Sequence, residues 1–234
     1  MFCLLATVTF WSCQGQKQPK SEEKPVTRSA ENLLLAAWDG DLATVQALLE
    51  QGADVNARDK YQATPLIYAA HKLRLELAQV LLARQAEVNV QDAVGVTALM
   101  EAAQSGYSAM VQLLLAHKAA LDARDKNRNT ALILAARGTN AEIVRALLDG
   151  GADVQAQNHK GLTALMIAAW NGQHQTVRIL LQRGAEVNAR NAEGQTALVL
   201  AQAKGQADAV KLLQAFGASE LADPLKDWSM EVIP

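Results

Sequence analysis

Four histidines (His71, His117, His159, His174) and two cysteines (Cys3, Cys13) are the side chains of this 234-residue chain best suited to hold a metal or attack a substrate. Either task needs several such groups brought within a few ångströms of one another. Both cysteines fall within the first thirteen residues, so the rest of the chain has neither a disulfide framework nor a thiolate metal site. The histidines are scattered, and the acids Asp54, Glu87, Asp153 and Glu186 recur at one position of a pattern, which reads as architecture rather than an acid–base pair. No G-x-x-x-x-G-K phosphate loop occurs. The expectation is a protein that is not an enzyme, with no catalytic residue, metal or cofactor.

The elements that must position any function are set by a period of 33 residues. Thr64, Thr97, Thr130, Thr163 and Thr196 are spaced by it, and Leu66, Leu99, Leu132, Leu165 and Leu198 follow two positions later. Ala53, Ala86, Ala119, Ala152, Ala185 and Ala218 form another unbroken series. Half of the residues are apolar but only 4% aromatic, a balance suited to closely packed short helices. Paired alanines, such as Ala69–Ala70 and Ala168–Ala169, allow close helix approach. Val45, Leu48 and Leu49, and again Val144, Leu147 and Leu148, make one apolar stripe on a second helix.

The motifs "TPLIYAA", "TALMEAA", "TALILAA", "TALMIAA" and "TALVLAQ", with "GADVNA" and "GAEVNA" between them, resemble the ankyrin repeat family over six repeats. The proline after the threonine is kept only as Pro65, and the family's histidine two positions on is replaced by Ile67, Met100, Ile133, Met166 and Val199. The resemblance implies an all-α solenoid of stacked helix–turn–helix units with β-turn fingers. On it, the chain divides into a signal or lipoprotein segment (1–13), a flexible linker (14–28), the repeat domain (29–220) and a C-terminal tail (221–234). Ser29 is the expected N-cap of the first repeat, and Gln202 and Gln214 are the expected polar cap of the last. Helices pack about 8–10 Å apart, so His71 and His159, more than two repeats apart, cannot share a metal.

Glycine recurs where helices end and fingers turn, because only glycine takes the left-handed backbone cheaply. The second repeat alone lacks glycine at all three such positions, carrying Gln62, Leu73 and Gln85 instead. Asp59 to Gln91 is therefore expected to be the least stable internal segment.

In the resembling family, partners are bound on the fingers and the exposed edge of the first helices. Those positions here carry nine Lys or Arg: Arg58, Lys60, Lys72, Arg124, Lys126, Arg137, Lys160, Arg190 and Lys204. Asp39 and Glu193 oppose them there, and the finger-base acids Asp59, Asp92 and Asp125 lower the balance further, to +4, still opposite in sign to the chain's net charge of -2. Trp38, Tyr61 and Trp170 share the same surface, and Trp, Tyr and Arg are the types that anchor interfaces. The expected partner is another protein with an acidic surface, steered by the basic face. No nucleic acid partner is expected, and the protein is expected to be a monomer.

Met1 to Trp11 is almost wholly apolar and too short to span a bilayer. Ser12, Cys13 and a polar stretch with Pro19 and Pro25 follow, which resembles a bacterial lipoprotein signal with Cys13 as the lipidated residue. The usual basic residue before the apolar run is missing. The expectation is an exported, periplasmic protein, with membrane association only through a lipid anchor, that serves as an accessory, protective or inhibitory (immunity) factor for another enzyme. The alternative is an intracellular ankyrin scaffold or regulator in the cytoplasm. In the tail, Trp228, Val232 and Ile233 are suited to folding back over the last helices or to binding a partner.

Overall fold

The computed structural model describes residues 25–219. The expected signal segment with Cys13, most of the 14–28 linker and the 221–234 tail lie outside the described residues. The architecture is all-α, with no strand among the described residues. Consecutive helices pair: α1 Pro25–Asp39 with α2 Leu42–Glu50, α3 Pro65–His71 with α4 Leu75–Ala83, and α5 Ala98–Gln104 with α6 Ser108–Ala116. The remaining pairs are α7 Ala131–Ala135 with α8 Ala141–Asp149, α9 Ala164–Trp170 with α10 His174–Gln182, and α11 Ala197–Ala203 with α12 Ala207–Ala215. Each odd-numbered helix packs on the next odd-numbered one, and each even on the next even, so the pairs stack into two layers.

The periodic threonines are the N-caps. The hydroxyls of Thr64, Thr97, Thr130, Thr163 and Thr196 accept from the backbone N–H three residues on, at 3.2–3.4 Å. All five are buried, so each would otherwise leave helix N–H groups unsatisfied, a loss of about 1 kcal/mol per cap. The paired alanines explain the layer spacing: Ala69, Ala70, Ala168 and Ala169 are all fully buried, and a larger side chain there would push neighbouring helices apart. On the second helices Val45, Leu49, Val144 and Leu147 are buried, with Leu48 and Leu148 packed beside them.

A third series stitches the loops. The side chains of Asn56, Asn89, Asp122, Gln155 and Asn188 each accept a backbone N–H from the next repeat, at Glu87, Ala120, Asp153, Glu186 and Ser219. The periodic acids belong to the same loops. Asp54 and Asp153 accept the N–H two residues on, whereas Glu87 and Glu186 contribute their backbone N–H groups.

Two expectations need correction. Ser29 is not an N-cap: α1 begins at Pro25, and Ser29 lies inside it. Proline suits a first helical turn, and no glycine or proline interrupts Val26 to Asp39. The left-handed positions hold for Gln62, Leu73 and Gln85, with φ of 61°, 58° and 63°, and for Lys118 and Arg128. Thr139, at the position of Leu73 two repeats on, has no positive φ. Instead α7 has five residues where the other inner helices after α1 have seven. Tight turns at Arg137 and Gly138, bonded to the carbonyls of Leu134 and Ala135, replace its last turn. A β-branched side chain is poorly tolerated in the left-handed region, and the chain is rebuilt to avoid it.

The last repeat is only partly capped by polar residues. Gln202 and Gln214 are exposed, but Val199 is 41% exposed where Met100, Ile133 and Met166 are buried under a following repeat.

Candidate functional site

Each finger is built on one Asp or Asn. Asp59 accepts from the N–H groups of Tyr61 and Ala63, and Asp92 from those of Val94 and Val96. Asp125 accepts from the N–H and side-chain amide of Asn129. Asn158 and Asn191 make the same pairs of bonds, to Lys160 and Leu162 and to Glu193 and Gln195. Adjacent fingers are tied by single backbone bonds, such as Ala93 N–H to Tyr61 C=O at 2.7 Å and Ala192 N–H to Lys160 C=O at 3.0 Å. The finger tips are thus held in fixed register beside the inner helices.

Between fingers and inner helices lie two hollows, each of about 470 Å³. The first is lined by Trp38, Tyr61, Tyr68 and His71 over Ala63 and Ile67, with Asp92 and Glu101 at its rim. Tyr68 meets the Trp38 ring edge-on at 5.2 Å, and His71 stacks on it at 5.8 Å. The Lys72 ammonium lies 3.5 Å from the Trp38 ring centroid. His71 Nδ1 is 2.9 Å from a Glu101 carboxylate oxygen. The Tyr68 hydroxyl donates to Asp59. Burial, followed by that bond and the Asp59 charge, pushes the Tyr68 pKa up to about 12.

The second hollow is different in chemistry. Leu162, Met166, Ile167 and Leu200 form an apolar floor, Trp170 a wall, and Arg137, Lys160 and Glu193 the charged rim, with Asn171, Asn191 and Gln195 between them. Trp170 is 40% exposed, and the Lys204 ammonium lies 4.3 Å from its ring centroid. Trp38 with Lys72 and Trp170 with Lys204 are therefore the same arrangement, in which the lysine of one repeat covers the tryptophan of the repeat before.

The sequence-selected residues divide between these places. Trp38 and Tyr61 line the first hollow, with Lys72 on Trp38, and Arg137, Lys160 and Trp170 converge in the second. Lys60 lies over the Tyr61 ring at 4.9 Å. Arg124 and Arg190 donate to the carbonyls of Gln157 and Gly194, so each braces a finger with one donor. Arg58 and Lys126 are exposed and line neither hollow.

None of the nine Lys or Arg of this face forms an ion pair among the described residues. On the outer layer three arginines do: Arg84 with Glu50, Arg145 with Glu142, and Arg183 with Asp149.

Sequence reasoning missed Tyr68 and Glu101. Both occupy the position that carries Leu134, Ile167 and Leu200 in later repeats, and a departure from that aliphatic series was the available signal. It also missed Asn158 and Asn191, which replace the finger-base aspartates and remove two negative charges from the C-terminal half. His159 Nδ1 lies 3.1 Å from the Asn127 carbonyl oxygen, away from His71 and its Glu101 partner. Among the described residues no group of three or more His, Cys, Asp or Glu is placed to hold a metal.

Comparison with protein-family models matches "Ankyrin repeats (3 copies)" in overlapping stretches at 33–125, 74–158, 112–191 and 150–223. No curated protein matches the chain. The matched stretches run together over most of the sequence, and the stacked pairs, capping threonines and fingers are those such repeats build: the chain belongs to the ankyrin repeat family of protein–protein interaction modules.

Proposed function

We propose that this protein acts by binding an acidic partner protein along the finger side of its inner helices, and that it performs no chemistry on that partner. The observation that carries this reading is the charge arrangement. Among the described residues nine cations share one face without an ion pair, while three arginines of the outer layer are paired with neighbouring carboxylates. Unneutralised like charges held on rigid fingers repel one another, and a complementary anionic surface relieves that repulsion and accelerates encounter. Trp170, Trp38 and Tyr61 supply the large, partly exposed rings that anchor such an interface.

The test is a pull-down from native extract with the full chain, repeated with a Lys160→Gln, Trp170→Ala variant. The captured partner is then titrated against both proteins. An acidic partner whose affinity falls at least about tenfold in the variant, with the melting temperature held within a few degrees, supports the reading. Equal affinity for the variant rejects it.

The same reading places the protein outside the cytoplasm, tethered through Cys13, as an accessory, protective or inhibitory factor for an exported enzyme. Its support is the apolar run before Cys13 and the polar, proline-containing stretch after it. Intact mass of the membrane fraction is the measurement: a truncated, lipid-modified chain beginning at Cys13 is expected, whereas a full-length soluble chain points to an intracellular scaffold.

A further inference from the structure

The two hollows have equal volume and the same lysine-covered tryptophan, yet opposite rims. The first is lined by two carboxylates, Asp92 and Glu101, with Lys72 and Lys60 lying on its Trp38 and Tyr61 rings; the second is lined by Arg137 and Lys160 against Glu193, with Lys204 on Trp170. The difference extends along the groove. Finger-base Asp59, Asp92 and Asp125 give way to Asn158 and Asn191, which make the same backbone bonds without the charge. Their amides also donate, from Asn158 to Asn129 Oδ1 and from Asn191 to Gln195 Oε1, and each replacement removes one negative charge from this end of the groove. The floors differ as well. The second hollow is aliphatic, with Met166, Ile167 and Leu200 almost wholly buried beneath it.

We propose that the hollow between the fifth and sixth repeats is the specificity site, and that its ligand is an acidic segment of the partner protein carrying one large apolar side chain. This rests on the reading of the groove as the partner surface. The apolar side chain fills the aliphatic floor against Trp170, and flanking carboxylates pair with Arg137 and Lys160. A hollow of about 470 Å³ is of the size that encloses one such side chain with its adjoining backbone. The apolar floor separates this ligand from a nucleic acid backbone, which offers charge but no aliphatic group. The first hollow, with Asp92 and Glu101 in its lining, suits an acidic segment less well, so the groove favours it at the other end.

Asn191→Asp is the diagnostic variant. Asn191 lines the hollow, and an aspartate there keeps the acceptor for the Glu193 and Gln195 N–H groups, as Asp92 does for its own finger. The Gln195 amide, now bonded to Asn191 Nδ2, turns to donate instead. Lys160→Gln is the second variant, should the first melt early.

The probe is a fluorescein-labelled peptide of Glu and Asp with a central Leu, followed by anisotropy on the full-length protein. A control peptide has Ala for Leu. Binding of the Leu peptide at least tenfold tighter than the Ala peptide is expected. It should weaken about tenfold in Asn191→Asp or Lys160→Gln and stay within twofold in Asp92→Asn. Equal binding of the two peptides, weakened alike by charge changes at either end, overturns the hollow assignment while leaving the acidic-partner reading intact. No measurable binding of either peptide, with the pulled-down partner equally indifferent to the groove variants, overturns both. Displacement of the Leu peptide by a single-stranded oligonucleotide also overturns the proposal. Binding seen only after Trp228→Ala would assign the hollow to the chain's own residues 220–234 instead of a partner.

Discussion

At the scale of single residues, the finger-base position separates what folding needs from what binding uses. Asp59 carries three bonds, to the N–H groups of Tyr61 and Ala63 and from the Tyr68 hydroxyl. Tyr68 is held protonated: its folded pKa of about 12 lies above the ordinary 10. Its contribution to stability is therefore complete below pH 10 and is lost as pH rises from 10 through 12. Urea midpoints at pH 8, 10 and 11.5 should show this alkaline loss in the parent and a flatter profile in Tyr68→Phe. At pH 8 the Phe variant should be weaker by about 1 kcal/mol for the lost hydrogen bond. A parent profile as flat as that of the Phe variant would remove the assignment. The bonding of Asp59 was legible in sequence only as a recurrent Asx at the finger base. Its link to Tyr68 was not, because the partner is nine residues away and replaces a residue that is aliphatic in four of the other repeats. Glu101 was hidden for the same reason. A period reveals the positions that repeat and says little about those that depart from it.

At the scale of elements, the second repeat holds three non-glycine residues in left-handed backbone, at Gln62, Leu73 and Gln85. Each such residue costs roughly 1–2 kcal/mol relative to a conformation free of the Cβ clash. Replacing them by glycine gives back part of this to unfolded-state entropy, so each substitution should stabilise by up to about 1 kcal/mol. Hydrogen exchange should find the amides of α3 and α4 less protected than those of α9 and α10, and the triple glycine variant should close the gap. Equal protection in the parent protein would dismiss strain as the determinant. The glycine series was readable because a fixed period forces a fixed backbone, which held at five of six non-glycine positions. It failed at Thr139, where the helix gave up its last turn. Substituting Thr139→Gly is therefore not expected to stabilise, since no left-handed residue is there to relieve. Arg137, which the rebuilt turn positions, is one of the two cations at the rim of the second hollow.

At the scale of the whole molecule, the main contacts of each helix pair among the described residues are with its neighbours, so stability is close to a sum of repeat terms and nearest-neighbour interfaces. A weak second repeat then does more than lower one local term. It loosens the first repeat, which has no other neighbour among the described residues, while repeats three to six keep each other. The molecule is expected to lose its N-terminal end first and keep the Arg137–Lys160–Trp170 hollow longer. Trp38 and Trp170 stand at equivalent positions four repeats apart and report the two ends separately. Variants with Trp11 and Trp228 replaced by Phe, and then either Trp38 or Trp170 as well, leave one reporter each. In urea the Trp38 reporter should unfold at a lower midpoint than the Trp170 reporter. The Gln62→Gly, Leu73→Gly, Gln85→Gly background should bring the two midpoints together. Coincident midpoints in the parent would mean that interface coupling across the second repeat exceeds its backbone strain, and the solenoid would then unfold as one unit.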